Sequence, residues 1–123
     1  MEAKPPLVKL AYAILLSAER KQASDIRIRR DGPRSVVDFV IDGNVVEEMT
    51  PPLRLHSYIV RRMAIMASLP MYGRGRWAEG FIVLQVPDRQ FGFAIRVEGH
   101  GDDAEATLRR LTDAELAQRS ALR

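Results

Sequence analysis

Arginine is the residue type with the most chemical capacity in this chain. Sixteen of the 19 basic residues are arginine, and the formal net charge is +3 over 123 residues. A guanidinium offers a planar fork of donors that matches carboxylate and phosphate oxygens, which an ammonium does not. Arg27, Arg29 and Arg96 fall at outward positions of strand-like segments, and Arg110 lies in a further segment of strand length. These four are the candidates for contact with a partner's carboxylates or with phosphate. If Arg27, Arg29 and Arg96 share one sheet face, that face is a binding surface for an acidic protein or a phosphate ligand. A solvated face of an antiparallel sheet would carry the same residues. A charge of +3 is too mild to imply nucleic acid by itself.

Other chemistry finds little support. No G-x-x-x-x-G-K-S/T loop is present, so a nucleotide cannot be cradled in that manner. Gly73-Arg74-Gly75-Arg76-Trp77 is glycine-rich but follows a helix-like segment, the wrong context for a dinucleotide turn. Of the two histidines, His56 reads as a surface or staple residue. His100-Gly101-Asp102-Asp103 reads as a solvated turn rather than a metal site, since it offers one imidazole. The serines lack a histidine–acid pattern. Glu47-Glu48 and Asp102-Asp103 are adjacent pairs, which on a strand point to opposite faces. Without cysteine there are no disulfides or thiolate metal sites. Neither catalysis, a cofactor nor a metal is expected. No apolar run reaches the roughly 20 residues that span a bilayer, and a cytoplasmic location is expected.

The elements that would position the arginines follow from periodicity. Pro5-Pro6 opens a helix in which Leu7, Leu10, Ala11, Ile14, Leu15 and Ala18 recur at helical spacing, with Lys9, Glu19 and Lys21 on its polar side. Asp25–Arg30 alternates as a half-buried strand, and Asp31-Gly32-Pro33 turns it. Ser35–Ile41 and Val45–Met49 are strands joined by the hairpin signal Asp42-Gly43. Thr50 as N-cap and Pro51 as first residue begin a second helix with Leu55, Ile59, Met63 and Met66 buried; Leu69-Pro70 ends it. Residues 71–80, including Trp77, read as a loop. Phe81–Val86 is a strand, and Phe91, Phe93, Ile95 and Val97 alternate inward along the next, leaving Gly92, Ala94 and Arg96 on the other face. Ala104–Leu111 reads as helix by propensity. Thr112-Asp113-Ala114-Glu115 is a capping box that starts a new helix.

These segments together resemble a family. Ala23-Ser24-Asp25-Ile26-Arg27-Ile28 is similar to the A-S-D-I/L-H-I/L start of the N-terminal domain of secretion and type IV pilus motor ATPases. Ile41-Asp42-Gly43 resembles that family's R-I/V-D-G hairpin, and Arg62-Met63-Ala64-Ile65-Met66-Ala67 its R-I/L-K-x-M-A helix. Glu79-Gly80, Ile95-Arg96-Val97 and Glu105–Leu111 resemble its Q-D/E-G, R-V-S/N and G-E-x-x-V-x-R-L segments. Order and spacing agree from Ala23 to Leu111. Arg27 stands where the family has histidine, Val40 where it has arginine, and Ala104 where it has glycine.

The resemblance implies an α+β, PAS-like domain: a mixed, mainly antiparallel sheet of about six strands flanked by helices. It makes Ala104–Leu111 a strand, against propensity, and that reading is preferred because tertiary context overrides propensity. It divides the chain into an N-terminal helix at 1–22, the family-like domain at 23–111 and a C-terminal helical tail or linker at 112–123. In such motors the domain packs against motor domains in a hexameric ring, and some of its arginines approach nucleotide phosphates. The implied function is a non-catalytic assembly or regulatory module of type II secretion or type IV pilus systems. Its expected partner is a motor ATPase or another secretion or pilus component, with a homo-oligomer as a further option and nucleic acid not expected. The alternative is phosphate-ligand, nucleotide or nucleic-acid binding through the arginine face. A start at Met1 without tag residues favours a free-standing relative over a piece of a longer ATPase.

Overall fold

A computed structural model describes residues 6–69, 77–99 and 103–121. Helix α1 spans Pro6–Arg20. Strands β1 (Asp25–Asp31), β2 (Arg34–Ile41) and β3 (Asn44–Met49) form a meander, and a 3-10 turn at Leu53–Leu55 leads into α2 (His56–Met66). A second meander follows in β4 (Trp77–Val86), β5 (Arg89–Glu98) and β6 (Glu105–Arg110), and then α3 (Asp113–Ala121). The two meanders join into one six-stranded sheet, ordered β3-β2-β1-β6-β5-β4, with every neighbouring pair antiparallel. This is the expected α+β architecture. The first and last strands lie side by side at its centre, with Ile26 facing Leu108 and Ile28 facing Ala106.

Helices α1 and α2 cover one face. Ala11, Ile14, Leu15 and Ala18 from α1 and Ile59, Val60 and Met63 from α2 meet Ile26, Ile28, Phe39, Phe93, Ile95 and Leu108 of the sheet. Strand alternation sends Arg27, Arg29 and Arg96 to the opposite face, where α3 packs against β5 and reaches Phe81 of β4 and Arg109 of β6. No helix among the described residues is long and apolar enough to cross a membrane.

Local signals place several boundaries. Asp42 and Gly43 have φ of 52° and 80°, as a two-residue type I′ hairpin requires. Thr112 Oγ1 accepts from the Glu115 N–H at 3.1 Å while Glu115 Oε1 accepts from the Thr112 N–H at 2.9 Å, completing the capping box. β6 is a strand, so the propensity of Ala104–Leu111 is overridden by pairing on both sides.

Other boundaries differ from expectation. Thr50 does not cap α2. Pro52 holds the residue before it out of helical geometry, so the chain runs extended past Pro51 and the helix starts at His56. Its end is set before Pro70 by a Schellman motif: Ser68 has φ 56°, its N–H donates to Ile65 O at 2.9 Å, and the Leu69 N–H donates to Ala64 O at 3.0 Å. α1 ends the same way, with Gln22 at φ 58° and the Ala23 N–H donating to Ala18 O at 2.9 Å. Trp77 to Gly80 belong to β4 rather than to a loop, paired with Glu98 to Ile95. The Gly73-Arg74-Gly75-Arg76 and His100-Gly101-Asp102 segments lie outside the described residues.

The open face of the sheet as the candidate functional site

Antiparallel register aligns side chains across strands. On the face away from α1 and α2, Glu47, Asp38, Arg27, Thr107, Arg96 and Glu79 form one row from β3 to β4. Arg27 and Arg96 therefore flank Thr107, with Cα atoms about 10 Å apart at two strand spacings. Beside the row, a groove of about 560 Å³ runs over β4, β5 and β6, with Ala94 and Thr107 among its small residues and Phe81, Arg96, Arg109 and Glu115 at its sides.

Most arginines of this face are engaged within the chain. Arg29 Nε donates to Asp38 Oδ2 at 2.7 Å, and the Asp38 side chain is only 4% exposed. Arg34 donates to Asp31 at 2.8 Å and Glu47 at 3.2 Å, and the first of these bonds holds the Asp31 carboxyl below its ordinary value. Arg109 grips Glu115 through both oxygens, at 3.1 and 2.9 Å. That fork, helped by the Thr112 N–H, lowers the Glu115 pKa to about 2. The Arg119 guanidinium lies 3.7 Å from the Phe81 ring centroid and so holds α3 against β4.

The expected candidates separate in space. Arg27, Arg29 and Arg96 do share a face. Arg110 does not: it points to the helix-covered side, where its Nη2 lies 2.7 Å from Glu19 Oε1. The reason is strand parity, which puts Arg110 with Ala106 and Leu108. Arg96 is partly committed, 4.4 Å from the Trp77 ring centroid, 3.5 Å from Glu98 and 3.9 Å from Glu79. Arg27 is exposed and makes no ion pair among the described residues. Gly92 is covered by the chain itself, since Leu111 folds over it and the Leu111 N–H donates to Gly92 O at 2.9 Å.

Two polar residues that the sequence alone places at the surface are buried. His56 is fully buried; its Nε2–H donates to Ala104 O and its Nδ1 accepts from Ser35 Oγ, both at 2.7 Å. A carbonyl can only accept, so Nε2 carries a proton. Glu19, also buried, receives Arg89 Nη2 at 2.7 Å and Nε at 3.1 Å on one oxygen, with Arg110 at the other. Both residues keep the apolar period: His56 precedes Ile59 by three and Glu19 follows Leu15 by four, a signal that outranks their polarity. Among the described residues no group of three or more His, Asp or Glu side chains could hold a metal ion.

Known proteins are similar to this chain in sequence, and a solved structure is similar to it in fold. The type II secretion system protein HxcR of Pseudomonas aeruginosa is 32% identical over 115 residues, 92% of this chain and 24% of HxcR. The type IV pilus assembly ATPase PilB of Myxococcus xanthus is 40% identical over 81 residues, 66% of this chain and 14% of PilB. Type II secretion system protein E of Xanthomonas campestris is 29% identical over 117 residues, 94% of this chain and 20% of that protein. The chain thus spans about a quarter or less of the length of these curated relatives. Among solved structures, the pilus retraction motor PilT with bound ADP superposes with a TM-score of 0.52 at 18% identity, over 81% of this chain and 28% of PilT, a likeness of fold. The chain matches the sequence family described as type II/IV secretion system protein over residues 1–118, and it belongs to that family, related to the N-terminal domain of its ATPases.

Proposed function

We propose that this domain is a non-catalytic docking module, working in the cytoplasm, whose open sheet face binds a motor ATPase or another component of a type II secretion or type IV pilus system. Residues 23–111 form the family-like unit, α1 completes its core, and the tail that begins at 112 carries α3 against the open face. The observation that carries this reading is Arg27: among the described residues it stands exposed and without an ion pair, in a row where Arg96 is shared among Trp77, Glu98 and Glu79. A partner carboxylate laid on this row would meet the forks of Arg27 and Arg96 on either side of the Thr107 hydroxyl. The missing P-loop supports a role without hydrolysis.

Affinity for a purified secretion or pilus motor ATPase, measured by interferometry, tests the proposal. Arg27→Ala should weaken binding by roughly 1.5–3 kcal/mol, as for a hydrogen bond to a charged group. Arg27→Lys should recover only part of the loss, because it keeps charge without the fork. Unchanged binding by a folded Arg27→Ala variant would reject the site.

A second reading has its own observation. Two arginines flanking a hydroxyl would also suit a phosphate, and PilT was solved with ADP. Calorimetry with Mg-ATP separates the two: micromolar binding to the isolated chain would favour the phosphate ligand, and its absence favours protein docking.

A further inference from the structure

The two edges of the sheet are built differently. β3 is six residues long, carries Glu47 and Glu48, and has a register irregularity opposite Val37/Asp38. These are the devices by which natural sheets discourage a further strand. β4 at the other edge has ten residues, Trp77-Ala-Glu-Gly-Phe-Ile-Val-Leu-Gln-Val, of which one is charged. It contains no proline or lysine, and its pairing with β5 is continuous from Trp77 to Val86. Trp77 and Phe81 are 54% and 39% exposed on its open face. Among the described residues no strand pairs with its outer side.

We propose that β4 is a self-association edge: two copies of this chain pair through it, antiparallel, about a twofold axis at Phe81, continuing the sheet to twelve strands. The register follows from the sequence. In a continuing sheet, opposed residues must lie on the same face, so the axis passes through a residue. An axis at Glu79 would oppose two carboxylates, which destabilises a pair. An axis at Phe81 pairs residues 77–85 of both copies, opposes the two phenylalanines and sets Glu79 against Val83 of the other copy. It also places Glu79 diagonal to the other copy's Phe81, over which that copy's Arg119 guanidinium lies. Among the described residues Glu79 is otherwise held only by Arg96 at 3.9 Å. Moving the axis to Ile82 keeps the length but separates Glu79 from that arginine. Moving it to Gly80 keeps the charge contact but shortens the paired segment to 77–83. This edge association does not depend on what the arginine row binds.

The absence of cysteine makes the test direct, because an introduced cysteine is the sole thiol. In the proposed register the two residue-81 Cα atoms face each other at about 4.5–5.5 Å, within disulfide reach. The two residue-83 Cα atoms are four positions apart along the strands, about 13 Å, and out of reach. Under mild oxidation Phe81→Cys should become a covalent dimer and Val83→Cys should not. The unmodified chain should show by light scattering a concentration-dependent mass rising from 13.9 kDa towards twice that value. Phe81→Lys should remain monomeric with an unchanged far-ultraviolet spectrum. A chain that stays monomeric up to its solubility limit would overturn the proposal, as would cross-linking of Val83→Cys but not Phe81→Cys.

Discussion

His56 and Ser35 share a 2.7 Å hydrogen bond inside the core, tying the start of α2 to the start of β2. The opposite ring nitrogen binds Ala104 O at the start of β6, so one imidazole joins three elements. Both ring nitrogens are paired, and an unmet buried donor or acceptor costs more than a bond gains.

The stability prediction follows directly. Ser35→Ala leaves Nδ1 without its donor and should cost about 1–3 kcal/mol, the price of one unsatisfied buried group. His56→Ala also leaves a void and two unmet partners, and should cost about 2–5 kcal/mol, as other large-to-small core changes do. Urea denaturation checks both. A loss below about 0.5 kcal/mol for His56→Ala, the size of an ordinary surface substitution, would contradict the assigned network.

Gly92 and Gly80 give a contrast within one face pair. A Cβ at Gly92 would stand 2.5 Å from Ile82 O and 3.1 Å from Leu111 Cδ1, and the first contact is backbone that cannot yield. A Cβ at Gly80 would meet Leu69 Cδ2 at 2.6 Å, a flexible terminus, with Ala67 O next at 3.3 Å. Gly92→Ala should therefore cost about 1–3 kcal/mol through overpacking, and Gly80→Ala less. Thermal unfolding of the two variants side by side tests the order, and the reverse order would contradict it.

The seating of α3 should depend on acid. Glu115 has its carboxyl lowered from 4.5 to about 2, first by Arg109 and then by the Thr112 N–H. A lowered carboxyl contributes stability that is fully present above its unfolded value and is lost as pH falls through its folded value. α3 should thus stay docked above pH 4.5 and loosen between 4.5 and about 2. The amide resonances of Thr112 and Glu115 should report this transition, and Glu115→Gln should abolish it. A flat titration of both resonances in the unmodified chain would contradict the Arg109–Glu115–Thr112 arrangement.

Much of the fold was legible because local chemistry and tertiary demand agreed. Phe91, Phe93, Ile95 and Val97 alternate and are all buried; Asp42-Gly43 and Thr112–Glu115 each determine their own turn or cap. Legibility failed where two signals competed. Pro51 favours a helix start, but Pro52 behind it forbids one there. His56 and Glu19 follow the apolar period while their polarity suggests solvent, and their partners Ser35, Ala104, Arg89 and Arg110 lie far away in sequence. The shared face of Arg27, Arg29 and Arg96 was readable from alternation. The row was not, because register between β1, β6 and β5 is set only once the first and last strands meet.

The central claim is that the open arginine face, not the helix-covered face, receives the partner. Amide shift mapping of the labelled chain, titrated with an unlabelled secretion or pilus motor ATPase, tests it most directly. Perturbations should follow the row Asp38, Arg27, Thr107, Arg96 and Glu79 across four adjoining strands and the β4 edge strand, and should vanish with Arg27→Glu. Perturbations confined to the outer surface of α1 and α2, around Tyr58, Arg61 and Ile65, would contradict the account.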